Sequence, residues 1–233
     1  FLWPRDFSLL SYQQLLSTPG TRKEVQAVID SETYGEDRIV SLSTSANLFP
    51  EDTMSIGGAV AKEIELTVRA PGDIPRMAKI VPSYRLGNGS QASEWIQKGV
   101  YYIDTRSTDE VSGALTIHGY DDMLKAEQVW QPDQSLTFPM TMAAAAQEIA
   151  ELMGVTIDPR TVLSTAYTVD YPANDYTLRD VLRYIAAAHA GNWIMTDAGQ
   201  LRLVTFGEIP EETNYLVAEN GSAITFGGDR ILV

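Results

Sequence analysis

A chain of 233 residues is long enough to bury roughly 70–75% of the surface its unfolded form exposes, so one or two self-supporting cores fit within it. Apolar residues at 44% and charged residues at 21% are ordinary for a globular protein and exclude disorder, and no apolar run nears the ~18 residues of a membrane-spanning helix. The formal net charge of −14, from 31 acidic and 17 basic residues, repels phosphate backbones and excludes stable nucleic-acid binding.

An acidic surface keeps a protein dispersed at high concentration. Arranged in a ring, it would also line a channel through which DNA slides without sticking. Cysteine is absent, which removes disulfides, thiolate nucleophiles and cysteine-based zinc sites together and leaves stability to packing and assembly. Phe1 stands where Met would be expected and is followed by Leu2, Trp3, Pro4 and Arg5, without the basic stretch of a signal peptide. The start therefore reads as the internal boundary of a fragment or processed piece.

Residues 1–30 read as an irregular arm with a short helix, since Leu9, Leu10, Leu15 and Leu16 sit near helical spacing before a turn at Pro19-Gly20. Residues 36–50 end in a polar stretch around the anchor Asn47-Leu48-Phe49-Pro50. From Ile56 the pattern changes. Ile64, Leu66 and Val68 alternate with Glu63, Glu65 and Thr67, the period of a half-buried strand. Met77–Pro82 reads as another strand, and Val100–Arg106 with Ala114–Tyr120 as a hairpin around a polar loop. Together these suffice for a small antiparallel barrel or sandwich.

The middle of the chain is helical. Thr141 caps a run of strong helix formers that ends at Gly154, and Thr177 caps a second run, with Asp180 at the third helical position and Gly191 at its end. The apolar stripe of the second helix is Leu178, Val181, Leu182 and Ile185. The recurrence fits either an internal duplication or convergence of two amphipathic helices. Trp193–Thr196 and Leu201–Phe206 then form a hairpin around Asp197-Ala198-Gly199, with Gly199 at positive φ and Trp193 held between helix and hairpin. Ala223–Phe226 and Ile231–Val233 read as a return to the first sheet. The fold class is α+β, a mainly antiparallel β-barrel-like domain plus a smaller helix-and-hairpin domain. It divides into an arm and connecting segment over 1–44, the barrel-like domain over 45–130, the α+β domain over 131–206 and a truncated return segment over 207–233.

Chemistry is harder to find. There are two histidines. His118 precedes Asp121-Asp122 by three residues, but alternation along a continuing strand turns His118 and Asp121 to opposite faces. His189 sits near a helix end, where a partly charged imidazole complements the dipole. No nucleophile elbow, phosphate loop, zinc-protease motif or calcium loop occurs. Acidic pairs such as Asp121-Asp122 are abundant, yet glycoside hydrolysis needs two carboxyls about 5–10 Å apart across a cleft. The sequence calls for no catalytic residue, cofactor or metal. Trp95, Trp130 and Trp193 read as core or interface residues.

The succession GVYYIDTR, LTIHGYDDMLKAEQVW, TMAAAAQEIAELMGV and YTLRDVLRYIAAAHAGNWIMTDAGQLRLV resembles the baseplate-hub and tail-tip proteins of phages and prophages, including the N-terminal region of tail-associated lysins, over roughly residues 45–233. The resemblance implies a non-enzymatic component of the virion tail, assembled in the bacterial host cytoplasm. It further implies a homotrimeric ring joining the tail tube to the host-attachment apparatus. Partners would be further copies of the chain, distal tail and tail tube proteins, and host cell-wall components reached through missing C-terminal regions. No membrane insertion is implied. Ring assembly needs exposed strand edges or apolar patches that pair and close, and the candidate interface residues are Phe1, Leu2, Trp3, Leu48 and Phe49. Two alternatives belong to other classes: a peptidoglycan hydrolase using Asp121 and Asp122, and a saccharide-binding adhesin using Trp95, Tyr101 and Tyr102.

Overall fold

The computed structural model describes residues 12–50, 53–132, 136–172 and 175–206 and the pairs 225–226 and 229–230. Residues 12–16 are helical. The strands that follow are β1 (Arg22–Ile29), β2 (Glu32–Tyr34), β3 (Ile39–Ser45), β4 (Gly58–Val60), β5 (Glu63–Val68), β6 (Lys79–Gly87), β7 (Ile96–Gln97), β8 (Tyr101–Thr108) and β9 (Leu115–Asp121). All but β4 make one sheet of order β2-β1-β6-β8-β9-β5-β3, with β7 added to β6, and each of its ladders is antiparallel. The period-2 pattern in β5 has the expected effect. Ile64, Leu66 and Val68 are 0% exposed, while Glu63 and Glu65 face solvent.

The expectation of an irregular arm fails over Arg22–Ile29, which is an eight-residue strand. Its apolar alternation begins only at Val25 and continues through Ala27 and Ile29, behind the charged residues Arg22, Lys23 and Glu24. A half-length pattern was all the sequence offered, and β6 completes the strand by pairing with every residue of it. The strand expected at Met77–Pro82 runs on to Gly87 for the same reason.

The edges of this sheet, β2 and β3, are consecutive in sequence. Seven strands laid flat would set their outer members roughly 29 Å apart, whereas the connection over residues 35–38 spans at most about 17 Å. The sheet is therefore rolled, and one face from every long strand meets in a single core around Ile29, Ile64, Leu66, Ile80, Tyr101 and Ile117. It does not close into a barrel, for no ladder joins β2 to β3 among the described residues. Side chains clasp the gap instead. The Arg38 guanidinium pairs with Glu32, donates to the Ala70 carbonyl and lies 4.0 Å from the Tyr34 ring centroid, and the Tyr34 hydroxyl donates to the Pro71 carbonyl.

A second core follows. A 3-10 helix (Asp122–Glu127) leads from β9 into β10 (Met140–Thr141), α1 (Met142–Met153), β11 (Thr168–Val169), α2 (Leu178–Ala188), β12 (Gly191–Met195) and β13 (Leu201–Thr205). Thr141 accepts from the Ala144 N–H and Gly154 closes α1 at φ 70°, a backbone conformation that costs glycine little. Thr177 and Asp180 form the reciprocal capping box of α2. The expected stripe of Leu178, Val181, Leu182 and Ile185 is buried, with Ala186 beside it. The end of α2 differs from expectation: the left-handed residue is Ala190 at φ 49°, and Gly191 already belongs to β12.

The hairpin β12–β13 turns through Gly199 at φ 76°. Its sheet has the order β13-β12-β4, so β4, between two stretches of the large sheet in sequence, pairs in parallel with β12. Trp193 on β12 is 0% exposed and packs with Met123, Trp130, Ile149, Leu182 and Leu201. Near the end of the chain β14 (Thr225–Phe226) pairs with β15 (Asp229–Arg230) and not with the large sheet. The remainder of the expected return segment, 207–224 with 227–228 and 231–233, lies outside the described residues.

Candidate functional site

Among the described residues three crossings connect the two cores. Residues 46–57 lead from β3 to β4, residues 61–62 from β4 to β5, and residues 121–122 from β9 to the 3-10 helix. One side chain holds two of them. Asp121, 1% exposed, accepts the Lys62 N–H on Oδ2 at 2.9 Å and the Met123 N–H on Oδ1 at 3.0 Å, and its own N–H donates to the Lys62 carbonyl at 3.1 Å. Burial pushes the Asp121 carboxyl up to about 6, against the pull of those two N–H donors and the Lys62 charge.

The Lys62 side chain extends the joint. Its Nζ donates to Asp197 Oδ1 at 2.7 Å at the tip of the β12–β13 hairpin, where Lys98 Nζ holds Oδ2 at 3.2 Å and Gln97 Nε2 donates to the Asp197 carbonyl at 2.7 Å. Burial alone would raise the Asp197 carboxyl, but the Lys62 hydrogen bond and the charges of Lys62 and Lys98 hold it below the usual range. Asp122 is equally committed, with Oδ1 2.6 Å from Lys125 Nζ. The carboxylate pair considered for wall hydrolysis is thus buried and bonded within the fold.

The crossing at 46–57 has its own staple. Asn192 is 0% exposed and uses its whole amide: Nδ2 donates to the carbonyls of Leu48 at 2.9 Å and Ser55 at 2.8 Å, and Oδ1 accepts the Gly58 N–H at 2.7 Å. Phe49 stacks on Phe206 with ring centroids 5.3 Å apart. Two of the candidate interface residues, Leu48 and Phe49, are consequently half-buried against their own chain. The other three, Phe1, Leu2 and Trp3, lie outside the described residues.

Neither histidine joins an acid pair in a cleft. His118 Nε2 is 3.6 Å from Glu63 Oε2, and its ring meets Tyr120 edge to face at 4.9 Å. Asp121 is on the other face of the strand, as alternation requires. At His189 the Ser164 N–H donates to Nε2 at 2.9 Å and Nδ1 lies 2.8 Å from the Ile185 carbonyl. That pair of contacts needs a proton on Nδ1 and a bare Nε2. The imidazole therefore works as a two-ended hydrogen-bonding link between the end of α2 and the segment at Ser164.

The aromatic residues considered for saccharide binding are scattered. Tyr101 is 1% exposed with its hydroxyl on the Lys98 carbonyl, Tyr102 lies under the Lys125 ammonium at 4.4 Å, and Trp95 stacks beneath the Arg85 guanidinium at 4.6 Å. Tyr101 and Tyr102 are strand neighbours on opposite faces and form no common platform. A cleft of about 390 Å³ is lined by Pro50, Ala59, Glu63, Tyr120, Glu127 and Arg179 among others. Arg179 in its wall is tied down, with Nε 2.7 Å from Glu127 and its terminal nitrogens on the carbonyls of Ala59 and Met123. Among the described residues no group of three or more His, Asp or Glu is placed to hold a metal, and no helix is long and apolar enough to cross a membrane.

Sequence reasoning missed Lys62, Asn192 and Asp197. Lys62 left a weak signal as the one cation in the run from Gly57 to Val68, and Asn192 as the one polar residue between Gly191 and Met195. Asp197 read simply as a turn residue.

The architecture defined by these elements is a rolled antiparallel sheet bolted to a helix-and-hairpin module, and solved proteins share it. A 43 kDa tail protein of prophage MuSo2 from Shewanella oneidensis superposes with a TM-score of 0.53 at 13% identity, over 84% of this chain and 59% of its own. The tail protein from Neisseria meningitidis MC58 does so with a TM-score of 0.51 at 15% identity, over 78% of this chain and 50% of its own. The chain thus spans between half and three fifths of the length of these two proteins. No protein-family model matches the sequence, and no curated protein is similar to it.

Proposed function

We propose that this chain is a structural part of a phage or prophage tail, serving at the tail tip or baseplate hub as a trimeric ring that joins the tail tube to the host-attachment apparatus, with no chemistry of its own. The observation that carries the reading is the likeness in fold to the prophage MuSo2 tail protein across 84% of the chain. Three features agree with it. The acids and aromatics that would serve an enzyme or an adhesin are engaged within the fold: Asp121 joins two crossings, Asp122 pairs with Lys125, Tyr101 is buried in the sheet core, and Tyr102 and Trp95 lie under Lys125 and Arg85. The net charge of −14 suits a ring through which DNA passes without adhering. Extensive burial without cysteine leaves assembly as the natural source of extra stability.

Partners in this reading are further copies of the chain and the distal tail and tail tube proteins. Light scattering and native mass measurement at micromolar concentration and above test it: a species of three subunits is expected. A monomer at every concentration, with no association on mixing with tail tube protein, would reject it.

A further inference from the structure

Asn88 opens the loop of residues 88–95 between β6 and β7, and a glycine follows it. Three donors converge on its side-chain oxygen. Asn88 Oδ1 accepts the Ser90 N–H at 3.1 Å, the Ser90 hydroxyl at 3.0 Å and the Gln91 N–H at 2.8 Å. The ring closed by the Ser90 N–H bond runs through the Asn88 carboxamide carbon and the Gly89 nitrogen, so the side chain is folded forward over the peptide bond that follows it. Gly89 stands at φ 85°, and a Cβ built there would meet no atom within 4 Å, so the loop is open to water on that side. We propose that Asn88 is a self-modifying site, at which the Gly89 backbone nitrogen displaces ammonia from the Asn88 carboxamide and hydrolysis leaves an acid.

The step balances without any group beyond water. Base removes the Gly89 amide proton, and the nitrogen lone pair forms a bond to the Asn88 carboxamide carbon. Negative charge collects on Oδ1, where the three donors already point. Donors placed at an oxygen that gains charge lower the barrier to its formation. Ammonia then leaves with Nδ2, and a five-membered imide remains. Water opens that ring at one of its two carbonyls. Attack at the side-chain carbonyl gives aspartate. Attack at the main-chain carbonyl gives isoaspartate, with the backbone rerouted through the side chain. Either product adds one negative charge. Aspartate keeps an acceptor for all three donors, whereas isoaspartate lengthens the main chain and breaks the geometry of the Asn88 N–H bond to the Gln91 carbonyl and of the Gly87–Ala92 bridge.

The other asparagines among the described residues lack this arrangement. Asn192 spends its whole amide on Leu48, Ser55 and Gly58, and the residue after it is Trp193, held in the β12–β13 ladder. Asn47 precedes Leu48, whose side chain crowds the nitrogen that would attack. Only at Asn88 do a side chain bent forward, an unshielded following nitrogen and donors on the carbonyl oxygen coincide. Damage would stay local, because the loop is tied down beyond it: Ser93 is buried, its Oγ accepts the Leu86 N–H at 3.0 Å and its N–H donates to the Leu86 carbonyl at 2.8 Å.

Peptide mapping of the full chain tests the proposal. The folded protein and a synthetic peptide of residues 86–98 are aged together in mildly alkaline buffer, and the mass change from NH2 to OH is followed at Asn88. The folded chain is expected to react at least as fast as the peptide, with Asn192 unchanged in the same digest. Asn88 still intact in the folded chain when the peptide has half reacted would overturn the proposal. Ser90→Ala removes one donor from Oδ1 and should slow the folded chain at least twofold, while leaving the rate in urea-denatured chain unaltered. Equal rates for Ser90→Ala and wild type in the folded state would also overturn it. Should that variant fold poorly, Gln91→Pro, which removes the closest N–H donor, is scored in the same two conditions with the same expectation. Cleavage by an aspartate-specific protease separates the products, since it cuts at aspartate and not at isoaspartate.

Discussion

Replacing Asn192 by alanine removes three hydrogen bonds from a site that water does not reach. Each buried backbone group left without a partner costs about 1–3 kcal/mol. The Gly58 N–H has no escape, because β4 is buried throughout. The carbonyls of Leu48 and Ser55 belong to the 46–57 crossing, which can lift into solvent and recover its hydrogen bonds at the cost of the Phe49–Phe206 stack. The expected loss is therefore about 2–4 kcal/mol, below the sum of three full penalties. Urea unfolding followed by tryptophan fluorescence is the assay, since Trp193 is the next residue and lies in the same core. Limited proteolysis should show new cleavage within 46–57. Asn192→Asp sharpens the test: it sets a carboxylate oxygen against two carbonyls, so it should be worse than alanine at pH 7 and recover as acid protonates it. A loss below about 0.5 kcal/mol in Asn192→Ala, typical of an ordinary surface substitution, would refute the staple.

Two further consequences are open to measurement. Asp158 is held at about 2 by hydrogen bonds from the Arg160 side chain, opposed by burial; its folded value lies below the unfolded one, so its contribution is present above about pH 4 and lost as pH falls towards 2. Asp158→Asn should flatten that part of the acid-unfolding curve followed by circular dichroism, and an unchanged acid limb would count against the pair. At Gly191 an added Cβ would stand 2.5 Å from the Val204 carbonyl oxygen across the β12–β13 ladder. Gly191→Ala should cost about 1–3 kcal/mol in chemical denaturation through forced strand separation, and a neutral result would mean that the hairpin yields.

Much of the fold was legible in the residues. The caps at Thr141 and Thr177, the closing Gly154, the alternation of β5 and the turn at Gly199 are local signals whose partners stand within a few positions, so sequence alone specifies them. β1 was less legible because charged residues interrupt its alternation and β6 supplies what propensity does not. Of the candidate site, the individual residues were visible but their uses were not. Asp121-Asp122 could be noticed as a pair, and Tyr101 and Tyr102 as an aromatic run, but burial decides that the acids cap and clamp and that the tyrosines face opposite ways.

The sequence by itself determined the two capped helices, the strands β5, β8, β9, β12 and β13, the apolar faces of β5 and α2, and the strongly acidic composition, since these depend on spacings within a dozen residues or on residue counts. Only the tertiary structure decided that β4 leaves its neighbours to pair with β12, that Asn192 holds a loop some 140 positions away in the chain, and that the Asp121 carboxylate joins two crossings. Those outcomes depend on which distant backbone groups lose water together when the two cores form, and a buried donor takes whichever acceptor packing brings within reach, however remote in sequence.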